Sequence, residues 1–246
     1  ANPTAEEEKA VRMTKYLNTY QYKAPDRPPA PGHSLCGTSP HYDAFFNNLG
    51  GSERSRLNED KTIYNLLFKD NLNGSALSYI ELGAFDGITE SNTRFFDLCL
   101  GWKGLLIEGN PIKYEQVLQN RPQAHRMSFA PSCSAGYEAT NKTVLFYRKT
   151  FTNAGLLGLA KDYDQQDEIV PTVAVPCGPL TPVLQDIFEG ERISFFSLDV
   201  EGAESMVLEN LDLQKVNIDV LMIENENNHC RKVCPHRDKF RAMMAA

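Results

Sequence analysis

Residues 78–111 read SYIELGAFDGITESNTRFFDLCLGWKGLLIEGNP, and this stretch decides the fold. The run Tyr79-Ile80-Glu81-Leu82 ends in a turn that holds Gly83 and Gly87. A helical stretch follows, and a second apolar run, Leu105-Leu106-Ile107, stops at Glu108. Strand, glycine turn, helix, strand and acid is the layout of one nucleotide-binding half of a doubly wound α/β sheet.

The flanking sequence extends this pattern. On the amino side, Leu57, Ile63, Leu66 and Leu67 predict an amphipathic helix between Asn58 and Asn71. On the carboxyl side, Pro111 opens a helix that runs to about Asn120. A strand is expected near His125–Ala130. Thr143–Arg148 and Ile169–Val175 alternate as a pair of strands, an extra hairpin. Thr181–Phe188 reads as a short helix, Ser194–Val200 as a buried strand, Ala203–Asn210 as its following helix and Val220–Ile223 as a further strand ending at Glu224. The alternation predicts a mainly parallel sheet with helices on both faces.

Before this core, residues 5–20 form a helix with Thr4 as its cap and an acidic first turn. Pro25, Pro28, Pro29, Pro31 and Pro40 make the next segment an extended arm. The expected organisation is a helix and Pro-rich arm over residues 1–40, with room for a protein partner, and one domain over 41–246.

A formal net charge of -7 argues against a nucleic-acid backbone as partner. No apolar run approaches the roughly eighteen residues that a membrane span needs. The chain does not begin with Met and shows no signal peptide. Six cysteines, with sequons at Asn73 and Asn141, point toward the lumen of the secretory pathway or the extracellular space, with the cytoplasm as the alternative. Cys133 and Cys177 flank the extra hairpin and are candidates to pair. Cys99 is expected on the buried face of a helix as an inert thiol. Cys230 and Cys234, between His229 and His236, read as a zinc site, as disulfide partners or as surface thiols. His229 reads as a base or as a surface side chain.

The turn after the first strand has the spacing E-x-G-x-x-D-G, not G-x-G-x-x-G. Its glycines let a ligand approach the backbone, but Glu81 and Asp86 repel phosphate. Acids suit hydroxyls and a cationic amino group. Glu108, at the end of the next strand, stands where a carboxylate takes both hydroxyls of a ribose. S-adenosylmethionine meets these demands. The competing reading is an ordinary tight turn and a surface glutamate. An NAD(P) oxidoreductase fits the layout but not the acidic turn.

The same residues closely resemble the FkbM-type family of S-adenosylmethionine-dependent methyltransferases. The likeness rests on the turn above, on Ser91-Asn92-Thr93, on Gly101-Trp102-Lys103-Gly104-Leu105 and on Glu108-Gly109-Asn110-Pro111. It extends to Asp199-Val200-Glu201-Gly202-Ala203-Glu204 and to Cys177-Gly178-Pro179-Leu180. The resemblance implies a Rossmann-like class I methyltransferase. It implies that Glu81, Gly83 and Gly87 line the methionine end of the cofactor, that Asn92 sits near its carboxylate, that Glu108 holds the ribose and that Asn110 flanks the adenine. Residues 128–130 would meet the adenine edge. It also implies a sugar or glycan-type hydroxyl as acceptor. One departure is expected: the antiparallel strand pair that closes such sheets is missing after Glu224, which leaves a truncated or bare edge or one covered by the arm.

Asp199 and Glu201 lie at the carboxyl end of their strand, the ligand-bearing edge of such a sheet. A hydroxyl acceptor needs a base or a metal to remove its proton. Asp199 and Glu201 are the candidate catalytic residues, with Glu224 as a third carboxylate. Together the three acids suit Mg²⁺ or Ca²⁺, though a metal is not the primary reading. The competing roles are hydrogen bonding of loop amides by Asp199 and helix capping by Glu201. At the level of function, the alternative to an enzyme is an inactive methyltransferase-fold module that binds a partner in a larger assembly.

Overall fold

The structure is a computed structural model, and it describes residues 3–37, 43–50, 53–70, 77–133, 143–148, 155–157, 171–224, 238 and 240–242. The middle strands are β1 (Ser78–Leu82) and β6 (Ile193–Leu198), and every residue in both is buried. Strands covered on both faces are dominated by apolar side chains and read as near-continuous apolar runs rather than as alternation, here interrupted by buried Ser78, Glu81, Ser194 and Ser197. Around them lie β2 (Lys103–Ile107), β3 (His125–Met127) and β7 (Ile218–Ile223). The order is β3-β2-β1-β6-β7, and every pairing in this five-stranded sheet is parallel. This is a Rossmann-like sheet. Among the described residues no antiparallel strand follows β7. The antiparallel pair that is present, β4 (Thr143–Tyr147) with β5 (Thr172–Pro176), is the expected extra hairpin.

Two cores sandwich the sheet. On one face Ile80, Leu82, Leu105, Ile107, Phe196 and Leu198 meet α6 (Leu180–Phe188), Tyr16 of α1 (Ala5–Thr19), and Tyr20 and Tyr22 just beyond it. On the other, Tyr79, Leu106 and Phe195 meet an aromatic cluster from α2 (Asp43–Asn48), α4 (Arg94–Leu98) and α5 (Pro111–Asn120). Phe95 is central to that cluster, with Phe45, Phe46, Tyr64 and Phe96 in edge or tilted contact.

The amino-terminal helix carries the expected Thr4 cap, as a full capping box with Glu7. Of its ragged apolar stripe, Tyr16 is buried while Val11 and Leu17 are exposed. Beyond it the arm lies along β3. Ser128 N donates to Tyr20 O at 2.7 Å, and Lys23 bridges Arg126 in antiparallel fashion. Arg126, itself buried, donates to Asp26, Ala24 O and Leu118 O. The arm therefore covers the β3 edge. The boundary expected near residue 41 falls outside the described residues.

Two local expectations need correction. The helix after Asn58 is α3 (Glu59–Ile63), continued by a π-helical turn over Tyr64–Phe68. Its buried face is Asp60, Tyr64 and Phe68, while Leu57, Leu66 and Leu67 are exposed. The aromatic rings win because they reach Phe95 at 5.1 Å and Trp102 at 5.0 Å. Asp60 tolerates that face because Ser55 Oγ donates to it at 2.6 Å, and burial pushes its carboxyl up to about 6. Cys99 is not an inert thiol. It follows α4 and is bonded to Cys36, which staples the arm to the domain. The second disulfide joins Cys133 to Cys177. Disulfides persist in oxidising compartments. No helix among the described residues is long and apolar enough to cross a membrane. Asn73, Asn141 and residues 229–236 lie outside the described residues.

Candidate active site

The strands of the parallel sheet end level with one another. Leu82 pairs with Ile107 and Leu198, Ile107 with Met127, and Leu198 with Ile223. The ladder then continues one residue further. Glu108 N donates to Met127 O (3.1 Å), Gly83 N to Ile107 O (3.0 Å), Asp199 N to Leu82 O (3.1 Å) and Glu224 N to Leu198 O (2.9 Å). Glu108, Gly83, Asp199 and Glu224 thus form a row across the carboxyl edge. Strand order reverses between β1 and β6, so Gly83 and Asp199 flank the topological switch point, where open α/β sheets bind ligands.

Gly83 is required at that point. Its φ is +88°, and a Cβ would lie 1.7 Å from the Asp199 carbonyl oxygen. Conformation and space both exclude a side chain, which lets the loops after β1 and β6 touch.

Glu81 and Asp86 hold the turn itself. The buried Glu81 carboxylate accepts from Ser91 Oγ (2.8 Å), Asn92 N (2.7 Å) and Thr93 Oγ1 (2.6 Å). Arg121, fully buried, lies 3.7 Å from Glu81 and is also paired with Asp97. Burial raises the Glu81 pKa, with Arg121 and the three donors opposing. Asp86 accepts from Ile88 N (2.8 Å), Thr89 N (2.7 Å) and Thr89 Oγ1 (2.7 Å). Gly87 makes room for the chain after α5, because a Cβ there would meet Arg121 Cγ at 2.9 Å. Asn92 is nine-tenths buried. Its amide donates to Ser197 Oγ at 3.3 Å, and its Oδ1 has no hydrogen-bond partner among the described residues.

On the β2 side, Glu108 Oε2 accepts from Phe85 N and Oε1 from Asn110 N, each at 2.7 Å. Burial pushes its carboxyl up to about 7, against those two amides and the charge of Lys113. The Lys113 ammonium sits 3.8 Å from the centre of the Phe85 ring. Asn110 caps α5 by accepting from Ile112 N at 3.1 Å.

On the β6 side, Asp199, Glu201 and Glu224 bring one oxygen each within 4.8 Å of one another. Burial, and next the charge of Glu224 together with a hydrogen bond between the two carboxyls, raises the Asp199 pKa well above its ordinary value. These causes all favour the protonated form of Asp199. Glu201 has φ +56°, in the left-handed region that costs a side-chain-bearing residue energy. Glu204 takes amides of this loop, accepting from Val200 N (3.0 Å) and Gly202 N (3.2 Å).

Sequence reasoning brought Glu81, Gly83, Asp86, Gly87, Asn92, Glu108, Asn110, Asp199, Glu201 and Glu224 to this edge. It missed Arg121, Ser197, the duty of Glu204, and Phe146 of the hairpin, whose ring packs on Gly109. Ser197 and Glu204 lie inside recognisable motifs. Arg121 and Phe146 carry no local signal, since only the tertiary fold brings them in.

The model of the methyltransferase FkbM domain matches residues 81–246. The chain belongs to this family. No curated protein and no solved structure matches it significantly. The FkbM match begins at Glu81 and takes in the whole transverse row, whereas the arm and α1 to α3 precede it. The family is one of methyltransferases, so the row is the candidate active site of a transferase.

Proposed function

We propose that the protein is an S-adenosylmethionine-dependent O-methyltransferase acting on a sugar or glycan-type hydroxyl. The row of Glu108, Gly83, Asp199 and Glu224 carries this reading. In this reading Glu108, on one side of the switch point, takes the diol, and the carboxyls of Asp199 and Glu224, on the other, serve the acceptor's proton.

The residues present fit the cofactor. A carboxylate offers about four lone-pair sites, and Glu108 meets the amides of Phe85, Asn110 and Gly109, leaving capacity for a ribose hydroxyl. Asn92 Oδ1 is a buried acceptor suited to an ammonium group. The acids around Asp199 favour a cationic ligand over a phosphate. Glu81, Asp86 and Gly87 shape the turn that holds the amino-acid end, and Asn110 fixes the start of α5 beside the base. When bound, the cofactor supplies a methyl group on a cationic sulfur that is open to in-line displacement. The chain supplies alignment and a proton acceptor. In its deprotonated form an Asp199 oxygen takes the acceptor's hydroxyl proton, and its raised pKa makes that form a stronger base than an ordinary aspartate. Glu201 lies within reach of the same proton.

The three carboxylates are also an oxygen set of the kind that suits Mg²⁺ or Ca²⁺. Activity assays with a chelator and with each ion separate metal-assisted from carboxylate-only deprotonation. The disulfides and sequons support a place in the secretory lumen or outside the cell. The exposed Val11 and Leu17 of α1 offer the amino-terminal segment a contact for a protein partner. A non-catalytic binding module is favoured by one observation, that the acids of the turn, Glu81 and Asp86, already bond within the chain.

Titration calorimetry with S-adenosylmethionine and its demethylated product decides between them. Micromolar binding, with methyl-group transfer to a saccharide panel, is expected for the enzyme. No binding at millimolar cofactor would rule it out.

A further inference from the structure

The β4–β5 hairpin reaches over the row from the side of β3. It is anchored at its base by Ala130 N donating to Pro176 O (2.8 Å), by the Ala130–Cys177 bridge and by the Cys133–Cys177 disulfide. Strand alternation sends Phe146 and Val175 into a small apolar core with Ala130 and Ala203, against which Val200 packs. Val200 and Ala203 belong to the loop after β6. Phe146 also meets the loop after β2: a Cβ on Gly109 would stand 2.8 Å from its Cε2. Gly109 shows no positive φ, so glycine is needed there for space and not for conformation. One hairpin thus touches the loops on both sides of the switch point.

We propose that Phe146 is a positioning residue for Glu108. Its ring presses on Gly109, between Glu108 and Asn110, and so fixes the turn in which Glu108 takes the amides of Phe85 and Asn110. Fixing that carboxylate fixes the direction of the oxygens left for a diol. The hairpin, stapled at Cys133–Cys177, is the frame that holds the ring in place. The link to cofactor affinity rests on the reading of Glu108 as the ribose acid. The hold on the turn does not.

The test uses amide hydrogen exchange and calorimetry on the full chain. In Phe146→Ala, exchange at Phe85 and Asn110 is expected to rise on the order of tenfold, and the demethylated cofactor to bind on the order of tenfold more weakly, with kcat at saturating cofactor retained. Phe146→Leu should recover most of both losses. Gly109→Ala should reproduce them. The double variant Gly109→Ala/Phe146→Ala should be no worse than Phe146→Ala alone, because the clash has been removed. Leu145→Ala, on the outward face of the same strand, should leave both readouts at the wild-type value. Unchanged exchange at Phe85 and Asn110 in Phe146→Ala overturns the proposal. Raised exchange with unchanged affinity supports the hold of Phe146 on the turn and removes Glu108 from the ribose role. If the wild-type chain binds no cofactor, the proposed function falls, and the exchange result still decides whether Phe146 holds the turn.

Discussion

Asp199 and Glu224 stand side by side at the ends of neighbouring parallel strands, one residue past the paired Leu198 and Ile223, with their carboxyls hydrogen-bonded to each other. Two acids so placed work against folding at neutral pH, and in the proposed function they would serve catalysis.

The sign of the first prediction follows from that pair. A carboxyl whose pKa is raised on folding binds a proton that the unfolded chain has released. Its stabilising contribution is present below the ordinary aspartate pKa and is lost as pH rises through the folded value. Asp199→Asn removes this dependence. Urea denaturation should show the variant to be more stable than wild type at pH 8, by about 1 kcal/mol, with the gap closing toward pH 4. Methyl transfer should fall by at least about a hundredfold while cofactor binding persists.

Cofactor binding should itself depend on pH through Glu108. Burial pushes its carboxyl up to about 7, and if Glu108 takes the ribose, the protonated form loses an acceptor for the diol. Affinity for the demethylated cofactor should fall about tenfold from pH 8 to pH 6 by calorimetry. A flat profile would remove Glu108 from the ribose role.

Glu81 should behave as a structural acid. Glu81→Ala orphans Ser91, Asn92 N and Thr93 and leaves the buried Arg121 with Asp97 as its remaining acid partner. A cost of about 3 kcal/mol is expected from denaturant unfolding. Normal stability combined with lost cofactor affinity would assign it to the ligand instead.

The Cys36–Cys99 staple spans 63 residues and ties the arm to the domain. Replacing both with serine should cost about 4 kcal/mol by the loop-entropy account. Mass spectrometry of the unreduced protein should recover this pair and Cys133–Cys177 as linked peptides.

How much of this was readable beforehand depended on where the information lay. β1, β2 and β6 are buried on both faces, so their apolar runs could be read one residue at a time, and the acids that end them marked the ligand edge. The face of α3 could not be read that way. Leucine spacing suggested one side, and the larger area of Tyr64 and Phe68, against rings distant in sequence, selected another. The Cys36–Cys99 pair and the packing of Phe146 on Gly109 likewise depend on tertiary approach and leave no local trace. Asp199 and Glu224 were both read from the acids that end their strands, and the β6–β7 register sets them side by side.

The strand order has a kinetic side. β1 joins β2 across a short helical connection, but it joins β6 only by closing a long loop, with Ser78 N meeting Ser194 Oγ across 116 residues. Loop closure costs entropy before any contact repays it, so distant strands pair late. The Gly83 amide bonds to β2 and the Asp199 amide to β1, which makes them clocks for the two events. Pulse-labelled refolding should protect Gly83 before Asp199. The two halves of the candidate site would then be separately made, and a chain halted between them would hold Glu108 beside Gly83 before Asp199 had joined them.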